Sequence, residues 1–176
     1  WIGTDQDGID ILDKKTGEVR QLRNKTGDER SLQNNTVMVL YEDSSETMWV
    51  GTYKKGISYF NECAFKFGAE YIGDISCIEE DKEGYVWLGT NDVGIIYWNS
   101  VTGNRAAFPQ KGMDKLTTDA IVCILKAGDG KLWIGTFGGG LICYDNGRII
   151  HYKKNIPERQ NSLAHNNVLA LAEDKQ

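Results

Sequence analysis

The sequence has little proline, little histidine and no excess of positive charge. Only 2 prolines and 2 histidines occur among 176 residues, and 20 basic side chains face 25 acidic ones, for a formal net charge of -5. That balance, with a pI near 5.1, excludes the basic face that a nucleic-acid footprint needs. No apolar run is long enough for a membrane-spanning helix, and mean hydropathy is -0.44. The four cysteines, Cys63, Cys77, Cys123 and Cys143, contain no C-x-x-C pair. With only His151 and His165 to join them, a Cys/His zinc site has few possible ligands. Three of the cysteines fall in strand-like runs and read as small buried hydrophobes, while their spacing fixes no disulfide. The chain starts at Trp1 and stops after Glu173-Asp174-Lys175-Gln176, in mid-pattern. Both ends therefore read as the edges of a segment, and a missing signal peptide says nothing about export. What abounds is glycine, with 20 copies, and tryptophan, with 5. Much glycine and tryptophan with little proline points to many short strands joined by tight turns.

Those residues repeat. Trp1-Ile2-Gly3-Thr4 with Gly8-Ile9, Trp49-Val50-Gly51-Thr52 with Gly56-Ile57, Trp87-Leu88-Gly89-Thr90 with Gly94-Ile95, and Trp133-Ile134-Gly135-Thr136 with Gly140-Leu141 align without gaps. Only Trp98 stands outside the pattern. The spacing averages about 44 residues, the size of a propeller blade. A second block precedes each internal tryptophan at constant offset: Val37-Met38-Val39-Leu40, Ile75-Ser76-Cys77-Ile78 and Ile121-Val122-Cys123-Ile124. A fourth copy, Val168-Leu169-Ala170-Leu171, has no tryptophan after it.

Each repeat reads as four strands. Strand A is the Val/Ile block, apolar enough for burial on both faces. The Trp block is B, the Gly-Ile/Leu block is C, and a more polar run such as Arg148-Ile149-Ile150-His151-Tyr152 is D. Gly- and Asn-bearing turns separate them, supplying the positive φ angles of tight hairpins. The expected fold class is all-β: a β-propeller of four blades with four antiparallel strands each, either a complete small ring or an arc of a larger one. Strands B–D of one blade lie at 1–23, further blades at about 36–70, 74–108 and 120–153, and a final strand A at 167–172.

The W-[IVL]-G-T…G-[IL] block, with its lead-in Glu80-Asp81-Lys82-Glu83-Gly84-Tyr85-Val86-Trp87, resembles the two-component regulator propeller repeat. So does the S-L-x-x-N-x-V element at Ser31-Leu32-Gln33-Asn34-Asn35-Thr36-Val37 and at Ser162-Leu163-Ala164-His165-Asn166-Asn167-Val168, with a degraded copy from Leu116 to Ile121. The pattern departs from the family between Phe60 and Ile75, which lacks that element, and at Lys126-Ala127, which replaces the usual acidic pair. The resemblance implies a periplasmic sensor domain of a hybrid two-component histidine kinase. It implies oligosaccharide ligands and no catalysis by this segment.

The four repeated tryptophans could stack sugars, but their identical place in each repeat favours packing between blades, and Trp98 reads as core or blade edge. Phe137-Gly138-Gly139-Gly140 lacks the lysine and helix of a phosphate loop. Asp5-Gln6-Asp7-Gly8 lacks the later glutamate of a calcium loop, so neither a metal nor a cofactor is expected. Asn24-Lys25-Thr26 and Asn34-Asn35-Thr36 match glycosylation acceptors. Asp13-Lys14-Lys15-Thr16-Gly17-Glu18 lacks the tryptophan of the quinoprotein motif, and no repeat carries the Trp-Asp of WD scaffolds. A propeller enzyme or a protein-binding scaffold therefore stands as the alternative. Function is best placed in the long polar D–A connections, 23–35, 108–119 and 153–167. There the ligand-binding candidates are Arg30, Asn34, Asn35, Lys115, Asp119, Arg159, His165 and Asn166, with no catalytic residue. The expected partners are an oligosaccharide and a second copy completing a larger ring.

Overall fold

A computed structural model of the chain describes residues 1–61, 66–99, 102–109, 116, 118, 120–154 and 162–174. Among them there are strands and turns but no α-helix, and the chain divides into two compact units, Trp1–Ile75 and Ser76–Gln176. The first unit holds a three-stranded sheet of β1 (Ile2–Gly3), β2 (Ile9–Leu12) and β3 (Val19–Leu22). It also holds a four-stranded sheet of β4 (Val37–Glu42), β5 (Thr47–Thr52), β6 (Gly56–Asn61) and β7 (Lys66–Glu70). The third sheet comprises β8 (Ile75–Glu80), which begins on the boundary residue, β9 (Tyr85–Thr90), β10 (Ile95–Asn99) and β11 (Arg105–Phe108). In the fourth are β12 (Ile121–Lys126), β13 (Leu132–Thr136), β14 (Leu141–Asp145) and β15 (Arg148–Tyr152). Every sheet is an antiparallel meander in chain order, the A-B-C-D build of a propeller blade. The fold is an all-β propeller fold, with the first sheet consisting of B, C and D alone.

Each letter of the repeated block has a physical cause. The threonine hydroxyl closes the B–C turn: Thr4, Thr52, Thr90 and Thr136 donate to the carbonyls of Gly8, Gly56, Gly94 and Gly140 at 2.7–3.0 Å. The glycine ending that turn must be left-handed. Gly8 sits at φ 82° and Gly140 at φ 87°, and a Cβ there would lie 2.3 Å from the Leu22 carbonyl oxygen or 2.2 Å from that of Tyr152. The glycine beside the threonine lets the next blade's strand A approach. A Cβ on Gly3 would meet Val37 at 2.6 Å, on Gly89 would meet Ile121 at 2.8 Å, and on Gly135 would meet Val168 at 2.9 Å. The same approach is pinned by backbone. Val37 N–H donates to the Thr4 carbonyl and Val168 N–H to the Thr136 carbonyl, both at 3.0 Å. Within the second unit the Ser76 hydroxyl adds a 2.6 Å bond to the Ile121 carbonyl.

Among the described residues, Ile9, Leu32, Met48 and Val50 cluster as a core in the first unit, and Ile95, Phe108, Ile121, Ile124, Leu132, Ile134 and Ile142 in the second. Burying each such side chain contributes roughly 1.5–3 kcal/mol. Strand A departs from the expectation of burial on both faces. In β8 and β12 only the first and fourth residues are fully buried, and Met38 of β4 is 50% exposed. The reason is its place: strand A is the edge of its sheet, with a ladder neighbour on one side only. Its start is also irregular, with a register shift between Val37 and Val39 and another between Ile121 and Cys123. The segment 167–172 forms no strand. Val168 keeps the strand-A contacts to Gly135 and Thr136.

The cysteines pack as small hydrophobes. Cys77 and Cys123 fill the space over Gly89 and Gly135, and burial pushes the Cys77 thiol up to about 12. Cys77, Cys123 and Cys143 carry free thiols, and Cys63 lies outside the described residues. Trp98, read as core or blade edge, is 7% exposed, with the Arg105 guanidinium over its ring.

Candidate ligand-binding cleft

The repeated tryptophans do not share one environment. Trp49 is 1% exposed, Trp1 is 38% exposed, and Trp87 and Trp133 are half-buried. Two of them are clasped from the A–B turn. Asp43 accepts the backbone N–H groups of Ser45 and Thr47 on one oxygen and Trp49 Nε1 at 2.8 Å on the other. Asp81 repeats the pattern with Glu83, Tyr85 and Trp87 Nε1, the last also at 2.8 Å. The acidic lead-in is thus a turn-and-indole clasp. At the fourth sheet Ala127 replaces the aspartate, so Trp133 receives no such carboxylate.

In the second unit, period-2 alternation assembles a cluster of rings. Tyr85 and Trp87 lie on one face of β9, because residues two apart point the same way. Tyr97 of β10 is the register partner of Trp87, and Ala106 of β11 is the partner of Tyr97. Phe108, two residues on, therefore shares that face. The rings touch in series: Tyr85 to Tyr97 at 5.6 Å, Tyr97 to Trp87 at 5.4 Å, and Trp87 to Phe108 at 5.3 Å. Phe108 then meets Tyr144 of β14 edge-on at 4.9 Å. These five rings line a cleft of about 380 Å³, with Asp81, Glu83 and Lys126 on its rim. Its rim residues Asp81 and Glu83 belong to the A–B turn of the third sheet.

Chemically the cleft offers aromatic faces for the C–H surface of a flat ligand, with carboxylates and one ammonium to hydrogen-bond its polar edge. Beside it, Glu79 accepts the Lys126 backbone N–H at 3.3 Å. Burial pushes the Glu79 carboxyl above its usual range, and that N–H partly offsets the shift. Among the described residues no group of three or more His, Cys, Asp or Glu side chains gathers as a metal site.

Asn35 and Asn166, the Asn of S-L-x-x-N, tie the exit of strand D to the C-strand glycine. Their side-chain oxygens accept the N–H of Asn24 and Lys154, both at 2.7 Å, and their carbonyls accept the N–H of Gly8 and Gly140, both at 2.8 Å. One position earlier, Asn34 Oδ1, Thr118 Oγ1 and His165 Nδ1 each accept the N–H two residues on, at 2.9, 3.1 and 3.0 Å. The Asn34 amide also donates to the Tyr53 carbonyl, and that of Asn24 to the Leu32 carbonyl. Arg30 is exposed and lines a cleft of about 150 Å³ with Arg23, Lys25 and Asp28. Lys115, Asp119 and Arg159 lie outside the described residues. Tyr85, Tyr97 and Tyr144 had no sequence signal of their own, since tyrosine in a strand reads as ordinary sheet composition. The alternation of Tyr85, Trp87 and Tyr97 across one hairpin was the legible hint.

Three stretches, residues 31–54, 72–92 and 115–138, match the sequence model described as two component regulator propeller. Each ends just past the Gly-Thr of strand B. No curated protein sequence matches the chain. Among solved structures the chain is similar to the extracellular domain of a hybrid two-component system, BT3049, from B. thetaiotaomicron, at 19% identity and a TM-score of 0.72. A second is the extracellular domain of a one-component system, BT4673, from the same organism, at 20% identity and a TM-score of 0.74. The alignments cover 84% and 93% of this chain but 22% of either solved chain, so the chain spans about a fifth of their length. A catalytically inactive virginiamycin B lyase from Staphylococcus aureus also shares the fold, at 17% identity and a TM-score of 0.61, over 86% of this chain and 50% of that one.

Proposed function

Because the chain carries two-component regulator propeller repeats, we propose that it is a non-catalytic recognition segment of an extracellular or periplasmic sensor region, and that its ligands are oligosaccharides. The observation that carries the ligand reading is the cleft of the second unit. Tyr85, Trp87 and Tyr97 give it an apolar wall, and Asp81, Glu83 and Lys126 give it a polar rim. That pairing of ring faces with hydrogen-bonding edges suits a pyranose, which presents C–H groups on its faces and hydroxyls around its rim. The regular bonding of Asn35 and Asn166 to neighbouring backbone favours the cleft over those two D–A residues as the contact surface.

A thermal-shift panel of oligosaccharides tests the reading. One glycan is expected to raise the melting temperature in a dose-dependent way, and Trp87→Ala is expected to remove that response. A panel without any response would overturn the proposal. Turnover of the bound glycan would favour an enzyme, the reading to which the lyase likeness gives its only support. A second copy is the proposed macromolecular partner. Among the described residues β1 has a ladder neighbour on one side only, and the segment Val168-Leu169-Ala170-Leu171 has none. Sedimentation of a well-behaved monomer at all concentrations would count against it.

A further inference from the structure

Lys126 stands where the other internal repeats carry an acid. Glu42-Asp43 and Glu80-Asp81 close strand A in two sheets, whereas the fourth sheet closes it with Lys126-Ala127. The exchange has no local use in the turn, because the backbone N–H of Lys126, not its ammonium, makes the bond to Glu79. What it changes is the cleft. An acid at this position would give a rim of three carboxylates with Asp81 and Glu83, and the lysine gives the rim a cation.

The remaining charges do not cancel that cation equally. The Asp81 carboxylate is turned into its own turn and accepts three N–H groups, those of Glu83, Tyr85 and Trp87 Nε1. Glu83 is exposed at the turn tip, where water and salt screen it. Lys126 is half-buried against the rings, and the described residues place no carboxylate within ion-pair distance of its ammonium. A half-buried cation beside an aromatic wall, with Asp81 committed to its own turn and Glu79 to the Lys126 backbone N–H, is a receptor for an anionic group on whatever stacks there.

We propose that Lys126 makes this cleft select saccharides that carry a carboxylate, that is, oligosaccharides with uronic-acid units. The ring stacks on the aromatic wall while the carboxylate pairs with the ammonium. The inference rests on the oligosaccharide reading above and specifies the class of sugar.

Calorimetric titration of the whole chain with uronic-acid trisaccharides, of galacturonic and glucuronic type, against their methyl esters provides the test. The ester keeps the ring and removes the charge. The acid form of one series is expected to bind about tenfold more tightly or better, as a charged hydrogen bond in a partly buried site gives. Lys126→Met should remove that preference, Lys126→Arg should restore it, and raised salt should weaken the acid form alone. Each variant retains the backbone N–H bonded to Glu79, and circular dichroism checks its fold. Equal binding of acid and ester, or a preference that survives in Lys126→Met, overturns the inference. Binding of neutral oligosaccharides without uronides overturns it and leaves the proposed function standing. Binding of no saccharide overturns both.

Discussion

Replacing Asp43 by alanine should destabilise the first unit by about 3–5 kcal/mol. The figure follows from the clasp. Asp43 is 5% exposed and accepts three N–H groups, from Ser45 at 2.9 Å, Thr47 at 2.9 Å and Trp49 Nε1 at 2.8 Å. Ser45 is exposed and its N–H can turn to water. The donors of Thr47 and Trp49 cannot, because those residues are 7% and 1% exposed. A buried donor left without a partner costs about 1–3 kcal/mol, and bonds to a charged acceptor stand at the upper end of their range. Asparagine keeps one oxygen for the two backbone groups but turns an amide N–H₂ towards Trp49 Nε1, so Asp43→Asn should cost about half as much. The fourth sheet keeps its registers with Ala127 in place of the aspartate, so the meander itself should survive. Urea denaturation followed by far-ultraviolet circular dichroism measures the change, and the tryptophan near-ultraviolet signal reports Trp49. An alanine variant within about 1 kcal/mol of the parent would show that the clasp is not a stabilising element and would refute the reasoning.

Two further predictions concern the second unit. Gly89→Ala should cost about 1–3 kcal/mol by overpacking, since its Cβ would lie 2.4 Å from Cys77 Sγ and 2.8 Å from Ile121 Cγ2; adding Cys77→Ala should recover part of the loss in the same denaturation assay, and no recovery would place the strain elsewhere. The Glu79 carboxyl titrates above its usual 4.5 because burial disfavours its charge. A raised folded-state value means that the contribution of this group is fully present below 4.5 and declines as pH climbs through the folded value. Glu79→Gln should therefore flatten the fall in stability between pH 4 and pH 7, as melting temperatures across that range will show, and an unchanged profile would refute the assignment.

Most of the fold was legible because each blade is built from neighbours in sequence. Strands B and C are joined by a short turn, and the residues that make the turn, Thr90 and Gly94 for instance, lie four apart. In the sequence the glycines of the Trp block mark the repeat, and the structure supplies their cause, the close approach of strand A to Gly3, Gly89 and Gly135. The apolar run of strand A predicts burial on both faces, because hydrophobicity alone does not say that it is a sheet edge. The D–A asparagines looked functional for the reason that loop asparagines usually do, yet Asn35 and Asn166 hydrogen-bond to backbone in identical ways. The S-L-x-x-N element carried that repeated bond in its recurrence.

The cleft was not legible, since its walls come from residues whose relation is spatial. Trp87 and Tyr97 meet through the register of one hairpin, but Tyr144 and Lys126 join them only because the fourth sheet packs on the third. Whether a repeated tryptophan is sealed, as Trp49 is, or left half-open, as Trp87 is, depends on what the neighbouring side chains cover and not on its own strand. The repeat, the strand order and the turns were determined by sequence because hydrogen bonding and backbone conformation act over a few residues. The candidate cleft was decided by tertiary structure because a cavity is the shape left between elements, and no single element contains it.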